Sequence, residues 1–239
     1  MTRISTISHH RKPTGLYLKD MIYGAIDGTV TTFAIVAGVT GASLSPAVIL
    51  ILGFANLFAD GFSMAVSNFL SIRAEREFIT RARSREEWEV ENVPEEETRE
   101  IREIFIEKGF KGDTLGKAVE ATTSNKKQWV DTMIAERLGL SDNGTDPRKH
   151  AFITLSAFVV VGFIPLVAYV LSYFIEYFRD HTFAISVILT SITFFAVGAA
   201  KTFFTRKNWF IEGLETLVVG GFAAFVAYYV GVFVKNLIG

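Results

Sequence analysis

Five long hydrophobic runs alternate with polar segments along the chain. Three of them, residues 151–175, 182–200 and 216–234, contain no Asp, Glu, Lys or Arg. The other two, residues 21–42 and 46–72, contain a single Asp each. A helix needs about 20 mostly apolar residues to cross the hydrocarbon core of a bilayer, and each run is long enough. The pattern therefore predicts five transmembrane helices.

Charged residues concentrate between the second and third hydrophobic runs. Residues 73–149 hold 18 of the 25 acidic and 15 of the 24 basic residues, which leaves the remaining sequence nearly bare of charge. We therefore predict an all-α membrane protein with five transmembrane helices and a helical, water-exposed domain between spans two and three. The expected parts are an N-terminal tail (1–15), spans one and two (16–72), the inserted domain (73–149) and spans three to five (150–239).

Basic residues indicate how the predicted spans are oriented. Loops rich in Lys and Arg stay on the cytoplasmic side of a membrane. Such residues precede the first span and fill the link between spans four and five, whereas the link between the first two spans is uncharged; they are Arg3, Arg11, Lys12, Lys19, Lys201, Arg206 and Lys207. We expect the N-terminus and the inserted domain in the cytoplasm and the C-terminus outside.

The composition excludes several classes of site. The chain has no cysteine, which rules out disulfides and thiolate metal sites. A di-iron oxidase would need Glu-x-x-His pairs, and residues 73–149 contain no histidine. We expect His9, His10, His150 and His181 to be solvated, because they are scattered near the predicted interfaces. The sequence predicts no enzyme, no permanently bound cofactor and no nucleic-acid partner.

Polar residues inside the first two spans fall on shared helix faces. Asn56, Asp60 and Met64 are four residues apart and form one stripe, and Asp27 shares a face with Thr31. A charge in the middle of a bilayer costs about 2.5–3.5 kcal/mol, so such acids usually face a polar pathway or a partner. With no Lys or Arg inside these spans to pair with, the two acids predict a path for cations or protons.

A structural role is the alternative for these acids. Asp27 and Asp60 would then be protonated and hydrogen-bonded to neighbouring Thr and Asn side chains. Glu215, near the start of the fifth span, is a weaker candidate for the pathway. An interfacial ion pair is at least as good an interpretation there, because Glu212 lies one turn earlier and Lys207 precedes both.

The inserted domain carries a run of glutamates on both sides of Pro94. Proline is excluded from a helix interior but suits the first turn, so we predict one helix ending near Glu91 and another starting near Pro94. The resulting hairpin brings together two pairs of glutamates, each three residues apart: Glu86 with Glu89, and Glu97 with Glu100. Four carboxylates are hard oxygen donors of the kind that divalent cations bind.

A solvated charged face is the alternative for these helices. Residues 86–107 contain ten acids and two bases, so most of the glutamates lack a cation at i+4 and would repel one another without a counterion. That count favours cation binding. Farther along, NKKQWVDTMIAERLGL predicts a third amphipathic helix, in which Met133 is either a soft ligand that favours a transition metal or a core residue.

Four segments in order, DGTVTTFAIVAG, FADGFSMAV, REEWEVENVPEEE and WVDTMIAERLGL, resemble the vacuolar iron transporter family. The resemblance covers essentially the whole chain after residue 15. It implies a five-span homodimer that exchanges Fe²⁺, often also Mn²⁺, for protons along a path at the dimer interface. It also implies that a cytoplasmic helical domain gathers the metal.

The resemblance assigns roles to particular residues of this chain. Asp27 and Met64 would contact the metal inside the membrane, with Asp60 as their neighbour. The cytoplasmic ligands would be Glu86, Glu89, Glu97 and Glu100, with Met133 as a companion.

The chain departs from the family pattern at two places. Relatives often have two methionines and then a glutamate before the LGL, and a Gly-Glu-Tyr after the SMA segment. This chain has Met133, Ile134 and Arg137 at the first place and Ser67, Asn68 and Phe69 at the second. We expect its cytoplasmic site to bind fewer ions, or to bind them more weakly.

The resulting hypothesis is an exchanger that moves Fe²⁺ out of the cytosol while protons and metal compete for the same carboxylate oxygens. A non-transporting, membrane-anchored metal sensor or scaffold is an alternative, and so is an exchanger selective for manganese or calcium. A bacterial plasma membrane and a vacuolar-type membrane both suit export from the cytosol.

Overall fold

The computed structural model describes residues 17–141, 144, 146–205 and 207–238, and the predicted N-terminal tail lies outside them. Every regular element within these residues is helical. The α-helices are α1 (Leu18–Gly41), α2 (Pro46–Asn92), α3 (Pro94–Glu107), α4 (Gly112–Thr123), α5 (Lys126–Thr132), α6 (Pro147–Gly162), α7 (Ile164–Leu171), α8 (Glu176–Ala200), α9 (Thr202–Thr205) and α10 (Trp209–Ile238), and a π-helical turn, Met133–Arg137, follows α5.

The described residues form two compact units. The membrane unit contains those up to Phe69 and those from Asp146 onward, and the inserted unit contains those within Leu70–Thr145. The inserted unit lies where the sequence predicts a separate domain, and its cytoplasmic location stays a prediction. Helix α2 contributes residues to both units.

Four of the described helices, α1, α2, α8 and α10, are long and apolar enough to cross a membrane. A fifth span results when α6 and α7 are counted together, since only a short break and a 43° bend separate them. The structure therefore agrees with an all-helical membrane protein of five spans on that count. It differs from the expectation of one straight third helix.

The bend between α6 and α7 follows from Pro165. Proline has no N–H to donate to the carbonyl four residues earlier, and its ring clashes with that carbonyl, so the helix breaks. The carbonyl oxygen of Pro165 accepts a 2.7 Å hydrogen bond from Ser186 Oγ on α8. This bond ties the start of α7 to α8.

Helix α1 packs with its backbone against α6 and α10. A Cβ built on Gly28 would lie 2.5 Å from the carbonyl oxygen of Phe158, and one built on Gly162 would lie 2.7 Å from that of Gly28. A Cβ on Gly231 would lie 2.0 Å from the carbonyl oxygen of Gly38. The small residues of α1 are thus used to bring helices of this chain together, which is their usual role in membranes.

The inserted unit is built around a small apolar core. Val93 separates α2 from α3, and Pro94 occupies the first turn of α3, as predicted from the glutamate-rich segment. The core side chains come from α2, α3, α4, α5 and the π-helical turn: Val90, Ile101, Leu115, Val119, Trp129, Val130, Met133 and Ile134. Helix α4 was not predicted from the sequence, and the predicted third amphipathic helix corresponds to α5 and the π-helical turn.

Candidate functional site

Three of the four predicted glutamates come together in the inserted unit. Glu86 and Glu89 lie on the last turns of α2, and Glu97 lies on the first turn of α3. One carboxylate oxygen from each lies within 4.8 Å of the others. We call these residues the glutamate triad. The turn at Pro94 produces the arrangement, because it folds the two helices back on each other.

Two members of the glutamate triad are buried, and each has a carboxylate oxygen without a hydrogen-bond partner among the described residues. Glu86 and Glu97 are each 3% exposed, and the Oε2 atom of each makes no hydrogen bond within the part of the chain that the structure describes. Burial, together with the nearby carboxylates of Glu100 and Glu86, raises the pKa of Glu97 to about 7 against the opposing effect of Arg137. Buried carboxylates in this condition favour a proton or a metal ion.

Glu100 is engaged by an arginine rather than by the triad. Arg137 Nη1 lies 2.5 Å from Glu100 Oε2 and 4.0 Å from Glu97 Oε1. Sequence reasoning singled out Arg137 as a departure from the family pattern but did not predict this contact. A positive residue after a run of glutamates was the only available signal.

Several glutamates of the acidic run have counterions that lie outside the i+4 position considered in the sequence. Arg85 Nε lies 2.9 Å from Glu89 Oε1, one turn before it on α2, and Lys126 of α5 pairs with Glu91. The buried carboxylate oxygens without a hydrogen-bond partner among the described residues include Oε2 of Glu86 and Oε2 of Glu97.

Met133 is a core residue in this structure. Its side chain is fully buried and packs in the apolar core of the inserted unit with Trp129, Val130 and Ile134. Glu136, its neighbour on the π-helical turn, pairs with Lys108 at 2.5 Å. The role of Met133 as a metal ligand stays a prediction.

Asp27 on α1 and Asp60 on α2 are both half-buried in the membrane unit. Met64, one turn beyond Asp60, is also half-buried and packs against the apolar core. The predicted polar faces of the first two spans meet where Asn56 of α2 is hydrogen-bonded to Thr31 of α1.

The hydrogen bonds near Asp27 do not involve its carboxylate. Asn56 Nδ2 donates to Thr31 Oγ1 over 3.2 Å, and that hydroxyl donates to the Asp27 carbonyl oxygen over 2.8 Å. The carboxylate makes no hydrogen bond or ion pair with any described residue. It lines an open cleft of about 650 Å³ together with Lys19, Tyr23 and other residues of α1, α9 and α10.

A buried polar network at the start of the first and third spans was missed from the sequence. His150 Nδ1 lies 2.6 Å from Asp20 Oδ2, and Asn68 Nδ2 donates to both Asp20 Oδ1 and Thr154 Oγ1 over 2.8 Å. His150 is only 7% exposed and its ring lies 4.7 Å from that of Tyr17, so the expectation that it is solvated is wrong. The signal was Asn68, a polar residue inside the second hydrophobic run.

The fifth span begins with an ion pair. Lys207 Nζ lies 3.2 Å from Glu212 Oε1, and Lys201 Nζ lies 3.9 Å from its other oxygen. Glu212 is buried, whereas Glu215 is exposed. The interfacial ion pair considered for this region therefore involves Glu212.

Comparison with known proteins places these features in a family. The family model described as the VIT family matches residues 18–232. The chain is 37% identical to a vacuolar iron transporter of Plasmodium falciparum over 225 residues, covering 92% of this chain and 82% of the relative. It is 36% identical to a vacuolar iron transporter of Toxoplasma gondii over 237 residues, covering 97% and 78%.

A plant relative extends the comparison. The chain is 32% identical to vacuolar iron transporter 1 of Arabidopsis thaliana over 228 residues, covering 93% of this chain and 89% of the relative. The match therefore includes both the membrane unit and the inserted unit with its glutamate triad. On this evidence, the chain belongs to the VIT family.

Proposed function

We propose that this protein carries Fe²⁺, and also Mn²⁺, out of the cytosol in exchange for protons. The names of its relatives support iron as the cargo. Iron is then the transported substrate rather than a resident cofactor, and the protein is a transporter rather than an enzyme. The homodimeric state is proposed because the family resemblance implies it. The small residues of α1 do not add support, since they already pack against helices of the same chain.

The observation that carries the proposal is the glutamate triad. Its three carboxylates converge, and two of them are buried with an oxygen that lacks a partner among the described residues. Water-exposed acidic helices do not bury carboxylates in this way, because each loses hydration without compensation. A divalent cation supplies that compensation, so we assign the inserted unit to metal capture on the cytoplasmic side.

The path through the membrane would use Asp27, Asp60 and Met64. Two half-buried carboxylates and a thioether offer oxygen and soft sulfur ligands, a combination that favours Fe²⁺ or Mn²⁺ over calcium and magnesium. A metal must displace protons from such oxygens, so the two ions compete for them. Protonation from a more acidic far side would release the metal and return a proton to the cytosol.

The proposed orientation puts the N-terminus and the inserted unit in the cytoplasm and the C-terminus outside. It rests on the basic residues that flank the spans. The membrane is a plasma membrane if the source is prokaryotic and a vacuolar-type membrane if it is eukaryotic. In both cases the metal leaves the cytosol.

The test is Fe²⁺ uptake into proteoliposomes with an imposed pH gradient. We expect wild type to move iron at a rate that depends on the gradient and Asp27→Asn to move none, while Asp180→Asn, an exposed acid at the start of α8, matches wild type. A wild-type flux indifferent to the gradient would remove proton coupling. If wild type binds Fe²⁺ and Mn²⁺ but moves neither, the sensor or scaffold alternative replaces transport.

A further inference from the structure

Arg137 is the last residue of the π-helical turn that follows α5. Its guanidinium reaches both α3 glutamates of the cluster, at 2.5 Å from Glu100 and 4.0 Å from Glu97. The side chain of Arg137 is 40% exposed, that of Glu100 is 29% exposed and that of Glu97 is 4% exposed, so water reaches the arginine but hardly reaches Glu97. The guanidinium is thus a positive charge at the edge of the glutamate triad.

A guanidinium differs from a proton as a counterion. It keeps its charge at every physiological pH and presents a planar fork of donors that fits a carboxylate. Its attachment to the chain also gives it a high effective concentration at the site. A metal ion that approached Glu100 would therefore have to displace Arg137, whatever the pH.

The position of Arg137 divides the four carboxylates into two groups. Glu86, Glu89 and Glu97 have oxygens within 4.8 Å of one another, and Glu100 is not part of that group. The two groups share Glu97, which lies in the triad and also within 4.0 Å of Arg137. Arg137 thus neutralises one end of the cluster and leaves the other end negative.

We propose that Arg137 is an affinity-determining residue that acts as a tethered cation, so that the cluster takes one divalent ion at the glutamate triad and none at Glu100. The inference rests on the proposed metal binding by that triad. The guanidinium occupies the position of a second ion and repels the first across Glu97. The consequence is weaker capture and easier release than four free carboxylates would give.

The test is isothermal titration calorimetry of the purified full-length protein in detergent with Mn²⁺. Arg137→Gln and Arg137→Met both remove the charge, and the second keeps an apolar stem in case the first fails to fold. We expect the Mn²⁺ dissociation constant at the glutamate triad to fall about tenfold or more in both, and each variant to bind one more Mn²⁺ per chain than wild type does. Arg137→Lys keeps the charge and should stay within a few-fold of wild type.

Arg83 provides the matched control. Its Nη2 lies 2.6 Å from Asp131 Oδ1 in the same unit, so Arg83→Gln removes an equally close ion pair outside the cluster and should leave Mn²⁺ binding unchanged. Unchanged or weaker binding in both neutral Arg137 variants, with wild type binding Mn²⁺, overturns the inference and leaves metal capture intact. Absence of Mn²⁺ binding in wild type and in every variant overturns both.

Discussion

His150 Nδ1 and Asp20 Oδ2 lie 2.6 Å apart although 130 positions separate the two residues in the chain. The contact joins the first turn of α1 to the first turn of α6, and both side chains are buried. Asn68 of α2 donates to the other Asp20 oxygen, so a single carboxylate links the first turns of α1 and α6 to the middle of α2. This network joins three helices of the membrane unit through buried polar contacts.

Asp20→Ala is expected to destabilise the protein. The substitution removes the buried partner of His150 and leaves Asn68 with Thr154 as its remaining acceptor, and losing a hydrogen bond to a charged group costs about 1.5–3 kcal/mol. Thermal unfolding in detergent measures the effect as a lower transition temperature. Asp180→Ala, an exposed acid, serves as the control and should unfold like wild type.

Gly28→Ala is expected to destabilise the helix packing. The added Cβ would lie 2.5 Å from the Phe158 carbonyl oxygen, so α1 and α6 must separate. Forced overpacking of this kind typically costs about 1–3 kcal/mol. Gly221→Ala on α10 is the matched control, because a Cβ there meets nothing within 4 Å. Equal unfolding temperatures for the two variants would contradict the close backbone contact.

Glu97→Gln is expected to weaken metal capture. The amide keeps the size of the side chain but removes the negative charge that α3 contributes to the glutamate triad. We expect the Mn²⁺ dissociation constant to rise about tenfold or more, since a charge-assisted ligand is lost. Glu95→Gln, at an exposed position two residues earlier, should bind like wild type. Similar losses in both variants would mean that the acidic run attracts cations only diffusely.

The raised pKa of Glu97, about 7, predicts two pH dependences of opposite sign. Without metal, Glu97 loses its proton at a lower pH in the unfolded chain than in the folded protein. The stability that its protonated form contributes is therefore complete below about pH 4.5 and is lost as the pH rises to about 7. Metal affinity rises over the same interval because binding releases the proton. In Glu97→Gln, the part of the pH dependence that Glu97 causes should be absent from both the unfolding temperature and the Mn²⁺ affinity.

Met64→Leu is expected to change metal selectivity more than protein stability. Leucine has a similar volume, so the packing against the apolar core changes little. The loss of the thioether should reduce the preference of transport for Fe²⁺ over Ca²⁺ in competition assays. Met21→Leu, an exposed methionine on α1, should leave the preference unchanged. An unaltered preference in Met64→Leu would remove this residue from the proposed path.

The main features of the fold could be predicted because they depend on local pattern. Span positions follow from runs of apolar residues, and the hairpin follows from Pro94, whose missing N–H ends one helix and suits the start of the next. The bend before Pro165 follows from the same chemistry. It was overlooked because hydropathy alone does not register a single proline inside an apolar run.

The contacts of the candidate site were less predictable because they join distant segments. The convergence of Glu86, Glu89 and Glu97 could be inferred across one short turn. Arg137 approaches Glu100 from another helix, and no helical spacing rule relates the two. The same reason explains the missed burial of His150, whose partner Asp20 lies on a different span.

The contact between Gly28 and Phe158 has a consequence for motion. It is made by backbone against backbone, so no side-chain rotamer change can open it. We therefore expect α1 and α6 to move together in the proposed transport cycle. Asp27 precedes Gly28 on α1, so in that cycle access to its carboxylate would change through movement of the other helices around this pair.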